Sequence, residues 1–223
     1  MKNALLLPSR KKIPINNIYC VGQNYAEHAK EMGSTVADVP VIFLKPTSAV
    51  VESGSSVIIP AMSNNVHHEV ELTVLIGTSG RNIPAGEALK HVAGYGIGLD
   101  MTMRDIQSEA KKHGKPWTTA KGFYTSAPLS SFMEVSAISD PQNLDFSLTV
   151  NGVQRQKTNT SKMNFKIHEL ISFLSTVFSL EEGDVIFTGT PEGVAQVIEG
   201  DVLNAELHGI TTLTTTVTME KNS

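Results

Sequence analysis

The chain of 223 residues has one cysteine, one tryptophan and little charge, with 18% Asp, Glu, Lys and Arg and a formal net charge of −4. Each shortage excludes something. The lone Cys20 cannot form an internal disulfide, which fits a reducing compartment, the cytoplasm. It closes the apolar segment Ile18 to Val21, so it reads as a buried structural residue rather than a catalytic thiol. The N-terminal apolar run is only Leu5-Leu6-Leu7, stopped by Pro8 and followed by Arg10, Lys11 and Lys12. That is too short for a signal-peptide core or a membrane span, so no membrane partner is expected. The acidic balance argues against nucleic acid as a partner. A hydrophobic content of 40% is ordinary for a globular protein, and one large β-rich domain over residues 1–223 is favoured over two small ones. There is no internal repeat, low-complexity tract or long linker.

What the chain does have is the stretch His67 to Gly77. From Val70 onward it alternates Val70, Leu72 and Val74 with Glu71 and Thr73, the period of a strand. Glu69 and Glu71 then project to the same side. Two carboxylates on one face repel, so a positive charge is expected between them. An all-oxygen pair suits a hard cation, Mg2+ first, with Mn2+ or Ca2+ as substitutes, rather than zinc. A second apolar segment, Val92 to Leu99, ends in Asp100 and can bring a third carboxylate to the same place. A bare Glu-x-Glu is as readily the wet face of an edge strand. His67 shares the carboxylates' parity and His68 does not; for both, packing or outer hydrogen bonding is expected. Gly94, Gly96 and Gly98 lack the spacing of a phosphate loop and mark close backbone approach instead.

In chain order, a polar lead-in precedes a short strand at Ile18 to Val21. Asn24 is placed to cap a helix from Tyr25 to Met32, with Gly33 ending it. That helix has little apolar face, so residues 24–39 read as a mobile lid. Strands follow at Val41 to Leu44, Val57 to Ile59 and Glu69 to Ile76. Helices are expected from Pro84 to His91 and Asp105 to Lys112, then a loop, Pro116 to Phe123, that returns Lys121 to the interior. Leu144 to Val150, the turn Asn151-Gly152 and Val153 to Gln156 form a hairpin. A core-facing helix spans Ile167 to Phe178, and strands near Val185, Val202 to Leu207 and Leu213 to Thr218 finish the chain. Many short strands and few helices predict a β-dominated α+β body that curls or packs on itself.

Five stretches occur in order: Cys20 to Tyr25, Phe43 to Pro46, His67 to Glu71, Gly94-Tyr95 with Leu99 to Asp105, and Gly189 to Val194. Together they resemble the fumarylacetoacetate hydrolase superfamily, in particular its small single-domain acylpyruvase branch, from about Ile18 to Val217. The resemblance implies a mixed β-sheet roll, a homodimer, and Mg2+ held by Glu69, Glu71 and Asp100. It makes His28 and Glu31, neighbours three apart on a helix, a water-activating dyad. It places Lys121 on the substrate and assigns Lys45, Arg104, Gln107 and the Gly189-Thr190 backbone to the pocket. Gln23 stands where some relatives carry Arg, which leaves open how the far end of the substrate is held. The implied reaction is hydrolysis of a 3-acylpyruvate, with fumarylpyruvate-like diacids among the candidates. The small 2-keto acid chelates the cation, activated water attacks the distal carbonyl, and pyruvate leaves as its enolate. Decarboxylation or tautomerisation of oxaloacetate, or isomerisation of an unsaturated hydroxy-diacid, would use the same enolate and are the alternatives. A non-catalytic metal-dependent binding module is the remote one.

Overall fold

In the computed structural model, which describes residues 2–31, 33 and 37–221, short strands dominate. They are β1 (Asn3–Leu7), β2 (Lys12–Pro14), β3 (Ile18–Gly22), β4 (Val41–Lys45), β5 (Val50–Glu52), β6 (Ser56–Ile59), β7 (Val66–His68), β8 (Val70–Ile76), β9 (Val92–Leu99), β10 (Thr102–Met103), β11 (Ala127–Leu129), β12 (Phe132–Glu134), β13 (Asp145–Val150), β14 (Val153–Asn159), β15 (Val185–Phe187), β16 (Ala195–Gln196), β17 (Val202–Leu207) and β18 (Thr211–Met219). The α-helices are α1 (Ala26–Glu31), α2 (Arg104–Lys112), α3 (Thr118–Lys121) and α4 (Ile167–Val177). Among the described residues, no helix is long and apolar enough to cross a membrane.

The main sheet runs β2-β1-β12-β9-β8-β15-β3-β4, with β11 joined to β9 and β5 to β11. It is mixed, since β15 is antiparallel to β8 and parallel to β3. A five-stranded sheet, β14-β13-β17-β18-β6, packs its apolar residues into the same core as β8 and β9. The result is the β-dominated α+β architecture expected, a curled mixed sheet.

The strand that carries Glu71 is the centre of this arrangement. All seven residues of β8 are buried, between β9 and β15, so the wet-edge reading fails: its polar positions face a pocket and a tight packing layer, not solvent. Glycines in β9 make that layer possible. A Cβ at Gly98 would lie 2.6 Å from Phe187 and 2.9 Å from Thr73 Cγ2, and one at Gly96 would lie 3.0 Å from Thr73 Oγ1. Thr73 and Phe187 therefore fill the space that side chains on β9 would take.

Several expectations need correction. The lead-in, for which no element is expected, carries two strands: β1 and β2 form a hairpin, and β1 also pairs with β12. Strand β4 ends the main sheet, and only its Lys45 is buried, because one side of the strand has no sheet neighbour among the described residues. The helix expected from Pro84 to His91 is present as a 3-10 helix, Ala85–His91, whereas Lys121 sits on a helical turn, α3, rather than in a loop. Asn24 does not cap α1. Its amide donates to Thr188 O at 2.8 Å and Phe165 O at 3.0 Å, and its oxygen accepts from Phe165 N at 2.7 Å. Nor does α1 lack an anchor: Tyr25, His28 and Ala29 are buried, and Tyr25 packs edge-on against Phe146. Part of the expected lid, residues 32 and 34–36, lies outside the described residues.

Candidate active site

The β8–β9 register builds the acidic centre. Glu71 pairs with Gly98 and Val70 with Leu99, and Asp100 N donates to Glu69 O at 2.8 Å, so Asp100 ends β9 opposite the start of β8. Side-chain oxygens of Glu69, Glu71 and Asp100 all lie within 4.8 Å of one another, and all three residues are buried. The structure thus brings the three carboxylates together, with Asp100 directly after the end of β9.

Positive charge enters from three other elements. Lys121 on α3 bridges Glu69 Oε2 at 2.7 Å and Asp100 Oδ2 at 2.6 Å. Arg104, at the start of α2, pairs with Glu69 Oε1 and donates to Gln107 Oε1 at 2.7 Å. Lys45, at the end of β4, stands 2.8 Å from Asp100 Oδ1 and donates to the carbonyls of Met101 and Lys121. Burial alone would raise the Glu69 carboxyl, but Lys121 and Arg104 hold it well below the ordinary range. Burial alone would lower Lys121, and Asp100 and Glu69 raise it instead. Glu71 goes the other way: burial, Asp100 and Glu69 push its carboxyl well up. It has no ion pair among the described residues, and accepts from Gly189 N at 2.7 Å. Asp100 Oδ1 has charge nearby but no hydrogen-bond donor aimed at it. An all-oxygen triad with one uncompensated carboxylate and one such oxygen fits a hard divalent cation.

Gly189 follows β15 with φ +102°, and a Cβ there would lie 2.7 Å from Asn24 Cβ, so only glycine presents its N–H to Glu71 in this way. The Thr190 hydroxyl donates to Val70 O and accepts from Gln156 Nε2, both at 2.9 Å. On α1, His28 Nδ1 lies 3.2 Å from Glu31 Oε2, and Gly193 N donates to both Glu31 oxygens at 3.1 and 3.2 Å. Glu31 therefore orients His28 and ties α1 to the loop after β15.

His28, Arg104, Gln107, Lys121 and Thr190 line one pocket with the triad, about 440 Å³ including its open mouth, a size that suits a small molecule. Lys45 and Gly189 contact Asp100 and Glu71 but do not line the pocket. His67 bonds Asn65 and His68 bonds Gln156, so neither joins the carboxylate cluster. His67 is lowered to about 4 by burial and Arg104, and is neutral at pH 7. Cys20 is fully buried, and its thiol is raised by burial and Asp100.

Sequence reasoning missed Gln156, which binds Val70 N, His68, Thr190 and Pro191 O. A glutamine on a hairpin return gives no signal of that. It also missed Phe43, Lys111 and Trp117 on the pocket wall.

This sheet order and the pocket it carries define the C-terminal domain fold of fumarylacetoacetate hydrolases. The chain belongs to that family: the profile described as Fumarylacetoacetate (FAA) hydrolase C-terminal matches residues 17–218. The mitochondrial oxaloacetate tautomerase of Rattus norvegicus is 51% identical over 197 residues, covering 88% of this chain and 89% of that one. An oxaloacetate tautomerase of Escherichia coli is 47% identical over 197 residues, covering 88% and 90%. Among solved structures, fumarylpyruvate hydrolase from Pseudomonas aeruginosa in complex with Mn2+ and pyruvate superposes with a TM-score of 0.93 at 38% identity, covering 98% of this chain and 96% of that one.

Proposed function

We propose that this protein is a divalent-cation-dependent enzyme acting on small 2-keto acids, and that its reaction is the keto–enol tautomerisation of oxaloacetate. The observation that carries the reading is the buried triad with the Lys121 ammonium set between Glu69 and Asp100. A buried cation centre beside a fixed ammonium stabilises negative charge that develops on a substrate oxygen. Glu69, Glu71 and Asp100 would hold Mg2+ or Mn2+, which when bound supplies Lewis-acid polarisation of the substrate's carboxylate and keto oxygens. Lys121, kept protonated by its two carboxylates, stabilises the enolate oxygen and is a poor base. His28 has Nδ1 engaged by Glu31, which leaves Nε2 to take the proton from C3 of the keto acid. The proton then goes to the enol oxygen through His28 or water, and no carbon–carbon bond breaks. Arg104 and Gln107 order the pocket wall around the substrate.

Identity near 50% to oxaloacetate tautomerases favours this reaction over acylpyruvate hydrolysis, for which the comparable likeness is 38%. Hydrolysis stays the second reading because of the His28–Glu31 pair, which could equally activate a water. The test follows the loss of enol absorbance after enol-oxaloacetate is added with Mg2+ or with chelator. Decay accelerated by enzyme only in Mg2+ supports tautomerisation. Decay no faster than the buffer rate in Mg2+, with pyruvate released from 3-acylpyruvates, would replace it with hydrolysis.

A further inference from the structure

Helix α2 presents Arg104, Gln107 and Lys111 at i, i+3 and i+7, one stripe of a helix, and all three line the pocket. Two turns separate the first from the last, about 10 Å of helix. At the inner end Arg104 is committed to Glu69 and Gln107. At the outer end Lys111 is exposed at the mouth, with Nζ 5.0 Å from the centroid of the Trp117 ring. Trp117 packs in turn on Phe43, centroids 5.7 Å apart. No carboxylate among the described residues lies within ion-pair distance of Lys111, whereas its neighbour Lys112 pairs with Glu109 at 3.8 Å. The other cations on the pocket wall, Arg104 and Lys121, are both engaged by the acidic centre. Desolvation, Arg104 and Lys121 lower the Lys111 ammonium, and Glu69 opposes them. Gln23 faces the same pocket and brings no charge.

We propose that Lys111 determines specificity by receiving a second carboxylate at the outer end of the pocket, so that 2-keto diacids are preferred to 2-keto monoacids. The inference rests on the 2-keto acid reading of the inner end. A stacked ammonium is well suited to this: the Trp117 face holds the lysine stem in place while leaving the charge available. It answers the question that Gln23 raises, because the positive charge comes from α2.

The test compares Lys111→Met, which keeps an apolar stem over Trp117, with Lys111→Arg. For Lys111→Met the KM for oxaloacetate should rise about tenfold with kcat held within about twofold, the scale of one charge-assisted contact at a partly wet site. Inhibition by oxalate, which reaches only the inner end, should be unchanged, and Lys111→Arg should restore most of the lost affinity. Because Trp117 is the only tryptophan, its emission should change when oxaloacetate binds the wild type in Mg2+. It should not respond in this way to oxalate, or in Lys111→Met. An unchanged KM, or equal losses for oxalate and oxaloacetate, would overturn the inference. If the wild type acts on acylpyruvates and not on oxaloacetate, the tautomerase reading fails separately. Lys111 is then judged on fumarylpyruvate against acetylpyruvate: selective loss of the diacid sustains the inference, and equal loss overturns it.

Discussion

Glu71 shows how one side chain can need a partner that the polypeptide does not supply. Glu69 has Lys121 and Arg104, Asp100 has Lys121 and Lys45, and Glu71 has the Gly189 amide. Glu71→Ala should therefore lose measurable Mn2+ binding by calorimetry while keeping the native circular dichroism spectrum, since Val70, Leu72 and Val74 keep the core face of β8 intact. Wild-type Mn2+ affinity in that variant would remove Glu71 from the cation site. His28→Ala tests a different role. It should lower tautomerisation on the order of a hundredfold, the usual range for losing a positioned base, and leave Mn2+ affinity unchanged because the triad is untouched. If turnover stayed at the wild-type rate, His28 would be a packing residue beside Glu31.

Elements place these residues by constraints that were only partly legible in the chain. The alternation from Glu69 to Ile76 and the glycines at 94, 96 and 98 were readable because both obey the two-residue period of a strand. What was not readable is that β8 is central, since a polar residue facing a pocket and one facing water look alike in sequence. Lys121 was expected inside and is, but nothing local announces that its ammonium bridges two carboxylates from other strands. Asn24 misled for a related reason: its position suits a helix cap, while its side chain is taken by Phe165 and Thr188, which are distant in sequence. The close approach at β9 predicts a stability effect. Gly98→Ala would drive a methyl group into Phe187 and Thr73 and should cost about 1–3 kcal/mol, which thermal unfolding would register at about 2–4 °C per kcal/mol in a chain of this size. An unchanged melting temperature would show that Phe187 moves aside freely.

At the scale of the whole molecule, the ten-stranded sheet ends at β4, whose outer edge has no sheet neighbour among the described residues. An exposed edge of this kind is commonly covered by another chain. We propose a homodimer on this ground and on the family resemblance, with an expected mass by light scattering of about 48 kDa, twice 24.0 kDa. A mass of one chain at working concentrations would contradict it. The buried cation site is proposed to serve proton transfer rather than carbon–carbon cleavage. The most direct measurement compares, in one preparation with saturating Mg2+, kcat/KM for ketonisation of enol-oxaloacetate with kcat/KM for hydrolysis of acetylpyruvate and fumarylpyruvate, each repeated with chelator. Ketonisation should be the larger by at least about tenfold, a difference of about 1.4 kcal/mol in transition-state stabilisation, and chelator should abolish it. Hydrolysis that exceeds ketonisation, or ketonisation that survives chelator, would overturn the assignment of a cation-dependent tautomerase.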